Sequence, residues 1–397
     1  MLETIPAHQP QYTLTMRAGV TVSQRGFRTA RRFLSTGGHL SATASSAAQP
    51  QEPSLPVQWL DLRGSGLSIL ERLVLEECLL RHDSRHWLIV GTHEASRHRF
   101  LEVNPFPEYI SKARQQGIEG VNTTTAVVLG LGGKPAELLN IPQVESEGCL
   151  CIKRFTGGGT VVLDHDSIWT TLLFRPPHGA LPKEAYPRPI MEWSAERIFG
   201  PLFESMGKLN QQRSSSGGRI PGLIQPSRGR TLVPDTTSCG VDNTGKTLIV
   251  HRGDPKDDNS SVDTSEIPQF ALRENDYVLG DLKMGGNAQS IVKNGWLHHT
   301  SFLWDYQSEN MNLLTLPPKR PDYRKDRTHK DFLVKLSQAY PNLQKKDFMH
   351  QMQKVVANRF ALQTSTLTDA MQVVNEQGGF QSWFDTKSRT RVLRELP

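Results

Sequence analysis

Three consecutive glycines beside two basic residues form the first stretch of this sequence that could carry chemistry. Lys153 and Arg154 come shortly before Gly157, Gly158 and Gly159, which lie between two β-prone runs. Glycines in a sheet pack nothing and lose much conformational freedom on folding, so they indicate a sharp bend or a close approach to bare backbone. Exposed N–H groups next to cations suit an anion such as a phosphate. A purely structural hairpin or bulge explains the same stretch, and both interpretations stay open at this point.

A lysine that closely precedes two further glycines forms the second stretch. Lys283 stands shortly before Gly285 and Gly286, and Asn275-Asp276 comes before it. A lone lysine is usually only solvated, but here a long cation lies beside exposed backbone. After it, an Asn-Gly turn between two β-rich arms predicts a hairpin.

Two familiar glycine motifs occur in this sequence, one in the wrong structural context and one incomplete. Gly240 to Thr247 satisfies the formula G-x4-G-K-[ST], but a P-loop must open a helix, and here a strand-like run soon reaches Pro255. The sequence therefore predicts a hairpin turn at this point. Gly130 to Gly133 begins like a dinucleotide fingerprint, but Pro135 occupies its last position. We interpret it as a turn that lines the same site or closes a strand.

The periodicity of apolar residues predicts the elements that must position these stretches. The expected strands are 57–62, 87–90, 125–129, 149–155, 160–164 and 168–174, and the expected helices are 66–82, 191–206, 329–338, 345–359 and 366–377. Short turns between the strands from 149 to 174 imply antiparallel pairing. The helix 66–82 is expected to be amphipathic. The segment from Asp305 to Arg327 is basic and proline-rich, and the helices after it are expected to pack without visible chemistry.

Charge and cysteine content exclude several classes of function. The net charge is +6, but residues 1–50 hold five arginines against one glutamate, so the remainder carries only about +2, too little for a nucleic-acid footprint. The four cysteines are irregularly spaced, which disfavours zinc and fits a reducing compartment. No apolar run approaches 18 residues, so we expect no membrane span.

Residues 1–52 have the composition of an organellar transit peptide. They are rich in Arg, Ser and Ala, with no acidic residue between Glu3 and Glu52. Arg32-Phe33-Leu34 resembles a mitochondrial processing site, so we expect a mitochondrial protein. A plastid or cytoplasmic location and an ordinary disordered N-terminus are the alternatives.

Taken together, these stretches resemble the lipoate–protein ligase A family of the biotin/lipoate A/B protein ligase superfamily, and more closely its plant and algal members. Lys153 to Val161 is similar to the family signature R-R-x-S-G-G-G-A-V. Asn275-Asp276 and Lys283 keep the family's order, and His298-His299 keeps the spacing of its H-H pair. The chain departs from the family at Phe155, Leu163, Gly285 and Thr300.

The resemblance implies an α+β fold with a biotin/lipoate ligase-like catalytic domain of mixed, mostly antiparallel sheets packed with helices. It divides the chain into a transit peptide at 1–52, a catalytic domain at 53–345 with a long insertion at 207–275, and a short helical segment at 346–397. The family's bacterial enzyme has a separate C-terminal domain, which we expect to be absent or reduced here.

The resemblance also implies a two-step reaction. Lipoate or octanoate attacks ATP to give an acyl-AMP, and an acceptor lysine then attacks the adenylate. In this scheme Lys283 is the catalytic residue, touching the carboxyl oxygen and the α-phosphate. The expected ATP and lipoyl-AMP contacts are Arg154, Gly157, Gly158, Gly159, Thr160, Val161, Val162, Lys283 and Ala288. Val127 and Val128 are further candidates for an apolar slot that holds the acyl tail.

Supporting residues have two interpretations each. Asp164 and Asp276 could bind Mg²⁺ or orient Lys283, or could serve as surface or turn-capping groups, and Asn275 accompanies Asp276. His298 and His299 could position the ligand or form a satisfied structural pair. ATP and Mg²⁺ are the expected cofactors, and no protein-held metal is certain. The expected partners are the lipoyl domains of 2-oxoacid dehydrogenase E2 subunits and the glycine cleavage H protein.

Three rival functions remain. An octanoyl- or lipoyl-transferase on the same fold would use a thioester, for which Cys239 is the available thiol, or preformed lipoyl-AMP. A non-enzymatic binder of lipoyl domains would consume no ATP. A biotin ligase is disfavoured because the residues from Arg154 to Thr160 follow the lipoate signature.

Overall fold

The computed structural model describes residues 54–93, 99–101, 125–215, 269–317 and 320–397, with the backbone of 240–241 and 247–248. The predicted transit peptide at 1–52 and the candidate thiol Cys239 lie outside these residues. Within the described ranges, no helix combines the length and apolarity needed to cross a bilayer.

The strands follow the chain in an order that the sequence predicts well from 57 to 174. They are β1 (Pro56–Asp61), β2 (Trp87–Thr92), β3 (Ala126–Leu129), β4 (Leu150–Lys153), β5 (Gly157–Gly158), β6 (Val161–Leu163), β7 (Ser167–Phe174), β8 (Gly240–Val241), β9 (Thr247–Leu248), β10 (Phe270–Arg273), β11 (Asp276–Leu279), β12 (Leu282–Val292), β13 (Gly295–Leu303), β14 (Ala361–Ser365) and β15 (Arg391–Val392).

The helices are mostly short. They are α1 (Ile69–His82), α2 (Pro135–Leu138), α3 (Ile141–Glu147), α4 (Pro187–Ser194), α5 (Gly200–Ser215), α6 (His329–Phe332), α7 (Leu336–Ala339), α8 (Lys345–Ala357), α9 (Leu367–Glu376) and α10 (Phe380–Thr386). A π-helical turn (Ala195–Phe199) joins α4 to α5, and 3₁₀ helices lie at Ser308–Leu313 and Asp322–Arg324.

Two sheets organise the described chain. The larger has the order β10-β11-β12-β13-β7-β2-β1-β14, with β5 paired to β12. The smaller has the order β15-β4-β3-β6. Most pairs are antiparallel, and the exceptions are β1 with β2, β1 with β14, and β3 with β4. The predicted α+β class with mixed, mostly antiparallel sheets is confirmed. Every residue of β7 is buried, as expected of a central strand covered on both faces.

The predicted pairing of the two strands around the glycines is wrong. Strands β4 and β6 do not pair with each other, because both pair with β3, one parallel and one antiparallel. The glycines between them form β5, which belongs to the other sheet. The chain therefore leaves the small sheet at β4, touches the large sheet at β5 and returns at β6.

Helix α1 is buried on all sides, so the prediction that it is amphipathic is wrong. Ser68 caps its N-terminus in a capping box with Glu71. Its glutamates are buried with partners: Glu76 accepts hydrogen bonds from Arg72 and Thr171. A carboxylate can occupy a core position when it is bonded in this way.

The segment expected to be helical at 346–397 also completes both sheets. Strand β14 pairs with β1, and β15 pairs with β4. The buried carboxylate of Glu77 accepts hydrogen bonds from the Ser388 hydroxyl at 2.7 Å and the Arg389 N–H at 2.9 Å. This part of the chain belongs to the same compact unit as the strands before it.

The described ends of the insertion at 207–275 are regular. Residues 207–215 continue α5, and 270–273 form β10. Within it, β8 and β9 pair antiparallel across residues 240–248. The predicted hairpin is confirmed, because a P-loop would require a helix after Thr247.

Candidate functional site

The glycine stretch and the lysine stretch meet in one cavity of about 660 Å³. Gly157 to Gly159 line it, and so do Lys283 and Asp276. The apolar residues of its lining include Leu138, Val161, Val162, Met191, Leu303, Met311, Leu314, Phe332 and Leu333. A cavity of this size accommodates a drug-sized ligand.

Direct strand pairing fixes the glycine segment at the cavity. Gly158 pairs with Ala288 and Gly157 with Gln289. Gly158 has φ +116°, and an added Cβ would lie 2.6 Å from the carbonyl oxygen of Asn287. A Cβ on Gly130 would lie 2.1 Å from the carbonyl oxygen of Gly158, so the 130–133 turn packs directly behind this segment. The predicted close approach of backbone to bare backbone is confirmed, and no other residue type fits at these contacts.

An ion pair holds the ammonium of Lys283 at the cavity. Its Nζ lies 2.7 Å from Oδ1 of Asp276. The hydroxyl of Tyr323 donates to the other oxygen, Oδ2, at 2.9 Å. Asn275 also lines the cavity, and its carbonyl accepts a hydrogen bond from the Asn287 side chain at 3.1 Å. Asp276 therefore orients Lys283, which is one of the roles expected of it.

Arg154 does not face the cavity, and the predicted contact with phosphate is wrong. Its side chain is 1% exposed. Nε donates to the Thr156 hydroxyl at 2.7 Å, Nη1 to the carbonyl of Val128 at 3.1 Å, and Nη2 to the carbonyl of Gly159 at 2.7 Å. Burial lowers the pKa of the guanidinium to about 10. We call Arg154 with these acceptors the glycine clamp, because it fixes the ends of the glycine segment.

The two histidines form a buried structural pair, and neither lines the cavity. His298 contacts the Tyr277 hydroxyl at 3.2 Å and the Gln289 side chain at 3.0 Å, and burial lowers its pKa to about 3. His299 shares a short hydrogen bond with Glu76. Burial lowers the pKa of His299 against the opposing effect of Glu76, so a neutral imidazole donates to the carboxylate. Gln289, which bonds to His298, and Ala288, which pairs with His299, link this pair to the cavity.

Asp164 caps a turn instead of facing a ligand. It accepts hydrogen bonds from the Gln307 N–H at 3.2 Å and the Asn310 amide at 3.3 Å. Both oxygens of Asp276 are bonded as well, so neither candidate carboxylate is available as a magnesium ligand. The described residues also hold no cluster of three His, Cys, Asp or Glu side chains suited to a metal. These residues do not fit a resident Mg²⁺ ion.

The apolar candidates divide between the cavity and the core. Val161, Val162 and Ala288 line the cavity. Val127 and Val128 are fully buried in two core clusters, so the prediction that they line an acyl slot is wrong. Thr160 also lines the cavity, and its buried hydroxyl has no hydrogen-bond partner among the described residues.

Sequence reasoning missed one wall of the cavity. Arg320, Arg324 and His329 lie there, in the segment read as basic, proline-rich and without chemistry, together with Phe332. Its basic residues were the only signal in the sequence. Burial, Arg324 and Lys283 lower the pKa of His329 to about 4, which reflects how close these cations lie. We call Arg320, Arg324 and His329 the basic wall.

Comparisons with known proteins agree with the sequence resemblance. Residues 117–209 match the family described as the lipoyl protein ligase A/B catalytic domain. A Plasmodium falciparum (isolate 3D7) protein named inactive lipoate–protein ligase 2 is 28% identical over 287 residues, which are 68% of this chain and 61% of the relative. The aligned region thus spans less than two thirds of that relative.

Solved structures also resemble the chain at low identity. A lipoate–protein ligase A bound with ATP is 11% identical, with TM-score 0.48, over 84% of this chain and 95% of the other. The structure of P. falciparum LipL1 in complex with lipoate is 13% identical, with TM-score 0.44, over 83% and 71% of the two chains.

Proposed function

We propose that this chain is a lipoate–protein ligase, which activates lipoate or octanoate with ATP and transfers the acyl group to a lysine of a lipoyl domain; the match of residues 117–209 to the catalytic-domain family and the similarity to a lipoate–protein ligase relative support this. The observation that carries the proposal is the meeting of Gly157–Gly159 and Lys283 in one cavity. Glycines that admit a phosphate and a cation that stabilises developing charge are both needed there.

In the first step, a carboxylate oxygen of the acid attacks the α-phosphorus of ATP. The bond from phosphorus to the bridging oxygen breaks, and pyrophosphate leaves. Lys283 stabilises negative charge on the α-phosphate and on the carboxyl oxygen. Asp276 keeps the ammonium in place through the 2.7 Å ion pair. The backbone of the glycine segment, which pairs with the strand that carries Lys283, supports the α-phosphate.

In the second step, the neutral amine of the acceptor lysine attacks the acyl carbon of the adenylate. An amide forms and AMP leaves, so no enzyme side chain needs to act as a covalent nucleophile. The apolar lining, including Val161, Val162 and Ala288, would surround the acyl tail. Each buried CH₂ contributes about 0.8 kcal/mol, which favours an eight-carbon acid over shorter ones.

The proposal extends to partners and location. The acceptors would be the lipoyl domains of 2-oxoacid dehydrogenase E2 subunits and the glycine cleavage H protein, and the mature enzyme would be mitochondrial. Mg²⁺ would enter with the nucleotide, since it is commonly held by phosphate oxygens and few protein ligands.

A transferase that starts from preformed lipoyl-AMP is the second candidate. The relative named as an inactive ligase favours it, because a family member can lose the ligase reaction. A thioester transferase has less support, since Cys78, Cys149 and Cys151 are buried and none of them lines the cavity. Cys239→Ser tests that route: an adenylate-dependent enzyme keeps its activity, and a thioester enzyme loses it.

Intact mass spectrometry of an apo lipoyl domain tests the proposal. The purified protein is incubated with lipoate and ATP, with lipoate alone, or with synthetic lipoyl-AMP. A full ligase modifies the acceptor with ATP and lipoate, and a transferase modifies it only with lipoyl-AMP. No modification in any arm would contradict both candidates.

A further inference from the structure

Arg324 is a buried cation that lines the cavity. It ends the 3₁₀ helix Asp322–Arg324 and is 5% exposed. Its Nε donates to the carbonyl of Arg327 at 3.2 Å, and its guanidinium lies over the ring of Phe332, 4.8 Å from the centroid. Neither terminal nitrogen has a hydrogen-bond or ion-pair partner among the described residues, and Nη2 is fully buried.

A buried charge of this kind is costly unless a counterion compensates it. The carboxylate of Asp276 is not available to Arg324, because its two oxygens are bonded to Lys283 and Tyr323. Glu274, the other acidic residue at this cavity, accepts a hydrogen bond from the Tyr323 N–H at 3.3 Å. Burial, together with the nearby Arg320, lowers the pKa of Arg324, and the negative charge of Asp276 opposes this shift.

From this geometry we propose that Arg324 binds the pyrophosphate that leaves when the acyl carboxylate is adenylated. The inference deepens the proposed function and rests on it for the identity of the anion. Lys283 is paired directly with Asp276, whereas the guanidinium of Arg324 has no ion-pair partner within 4 Å among the described residues. A guanidinium can bind two phosphate oxygens at once. Arg320, which is paired with Asp326 at 2.7 Å, adds a second cation to the lining of the same cavity, and His329, with a pKa of about 4, adds a neutral imidazole.

Pyrophosphate binding measures this role without any turnover. The wild-type protein and Arg324→Gln are titrated with sodium pyrophosphate and, separately, with AMP by isothermal calorimetry in magnesium-free buffer. We expect the substitution to weaken pyrophosphate binding by about 30-fold and AMP binding by less than about threefold, since charged hydrogen bonds contribute on this scale.

The control removes a positive charge far from the cavity lining. Arg63 is exposed and paired with Asp61, and it does not line the cavity. Arg63→Gln should leave pyrophosphate affinity unchanged, which separates a site contact from an effect of net charge.

Equal pyrophosphate affinity in wild type and Arg324→Gln would overturn the inference. Equal losses for pyrophosphate and AMP would also overturn it, because Arg324 would then hold the nucleotide's own phosphate. If Arg324→Gln does not fold, Arg324→Lys replaces it and should bind pyrophosphate about threefold to tenfold more weakly, since lysine lacks the bidentate fork. Unchanged affinity in that variant counts against the inference.

The two proposals can fail separately. Arg324-dependent pyrophosphate binding without acyl-AMP formation would refute the ligase and leave the subsite. Acyl-AMP formation with unchanged pyrophosphate binding in Arg324→Gln would refute the subsite and leave the ligase.

Discussion

Two buried arginines, one in the glycine clamp and one in the basic wall, have opposite surroundings. Arg154 directs its guanidinium at a hydroxyl and backbone carbonyls, and its donors serve the fold. The guanidinium of Arg324 donates one hydrogen bond, through Nε, and its terminal nitrogens have no partner in the part of the chain that the structure describes. The arginine inside the recognisable signature is therefore structural, and the arginine outside it is the stronger candidate for binding an anion.

The difference teaches that a motif locates a site but does not say which of its side chains face the ligand. The signature from Lys153 to Val161 contains both the exposed glycines and the arginine that fixes them from behind. Such a fixing residue is as necessary as a contact residue, because the cavity requires the glycine segment in one position.

Unfolding free energies should separate the two arginines most strongly. Arg154→Met leaves several buried carbonyls without donors, so we expect it to lower the free energy of unfolding by about 3–5 kcal/mol. Arg324→Met removes an uncompensated charge and should change stability by less than about 1 kcal/mol. Urea denaturation followed by circular dichroism measures both, and similar losses would erase the contrast.

Glycine substitutions test the packing of the glycine segment that the clamp fixes. Gly158→Ala forces a Cβ against the Asn287 carbonyl at a positive φ, so we expect about 2–3 kcal/mol of lost stability and at least about tenfold lower acceptor modification. Gly159→Ala is the matched control for stability, because its Cβ would have no neighbour within 4 Å. Equal stability of the two variants would contradict the packing described here.

Lower pH should destabilise the folded protein through protonation of His298. Its folded pKa of about 3 lies below the ordinary 6.5, so the unfolded chain binds more protons between these values and stability falls as pH falls. We expect this residue to account for about 2 kcal/mol between pH 7 and 5. His298→Gln should flatten the pH dependence of unfolding, whereas substitution of the exposed His350 by Gln should not. A slope unaffected by His298→Gln would disprove the assignment.

The smallest effect is expected at the hydroxyl that supports the lysine from the basic-wall side. Tyr323→Phe removes the hydrogen bond to Asp276 and should lower the rate of acceptor modification by about threefold to tenfold. Acyl-chain preference should stay the same, because the hydroxyl contacts only the carboxylate. A changed preference between lipoate and a shorter acid would show that Tyr323 has a different role.

Local sequence pattern predicts the elements that form the site but not their long-range partners. The sequence predicts the glycine stretch, Lys283 and the hairpin after it, because each depends on residues that are close in sequence. The pairing of β5 with β12 joins positions about 130 residues apart, and β14 pairs with β1 across about 300, so neither can be read from periodicity.

The same reason explains why the sequence did not show which side chains line the cavity. Whether an arginine is available for a ligand depends on carbonyls supplied by other elements, such as Val128 for Arg154. The same holds for two histidines and two valines whose chemistry suits a ligand site but whose side chains lie in the core: His298, His299, Val127 and Val128. The basic wall was not predicted because no periodic pattern accompanies its charged residues.

The rate of acyl-AMP formation in Lys283→Met tests the central claim most directly. The claim is that the glycine segment and the Lys283 ammonium act on one nucleotide-linked carboxyl group. Pyrophosphate release and intact mass of the acceptor are followed for the wild type and for this variant, with folding checked by circular dichroism. We predict a folded variant whose rate is about 10²–10³-fold lower. A folded variant that forms acyl-AMP and modifies the lipoyl domain at the wild-type rate would contradict the account.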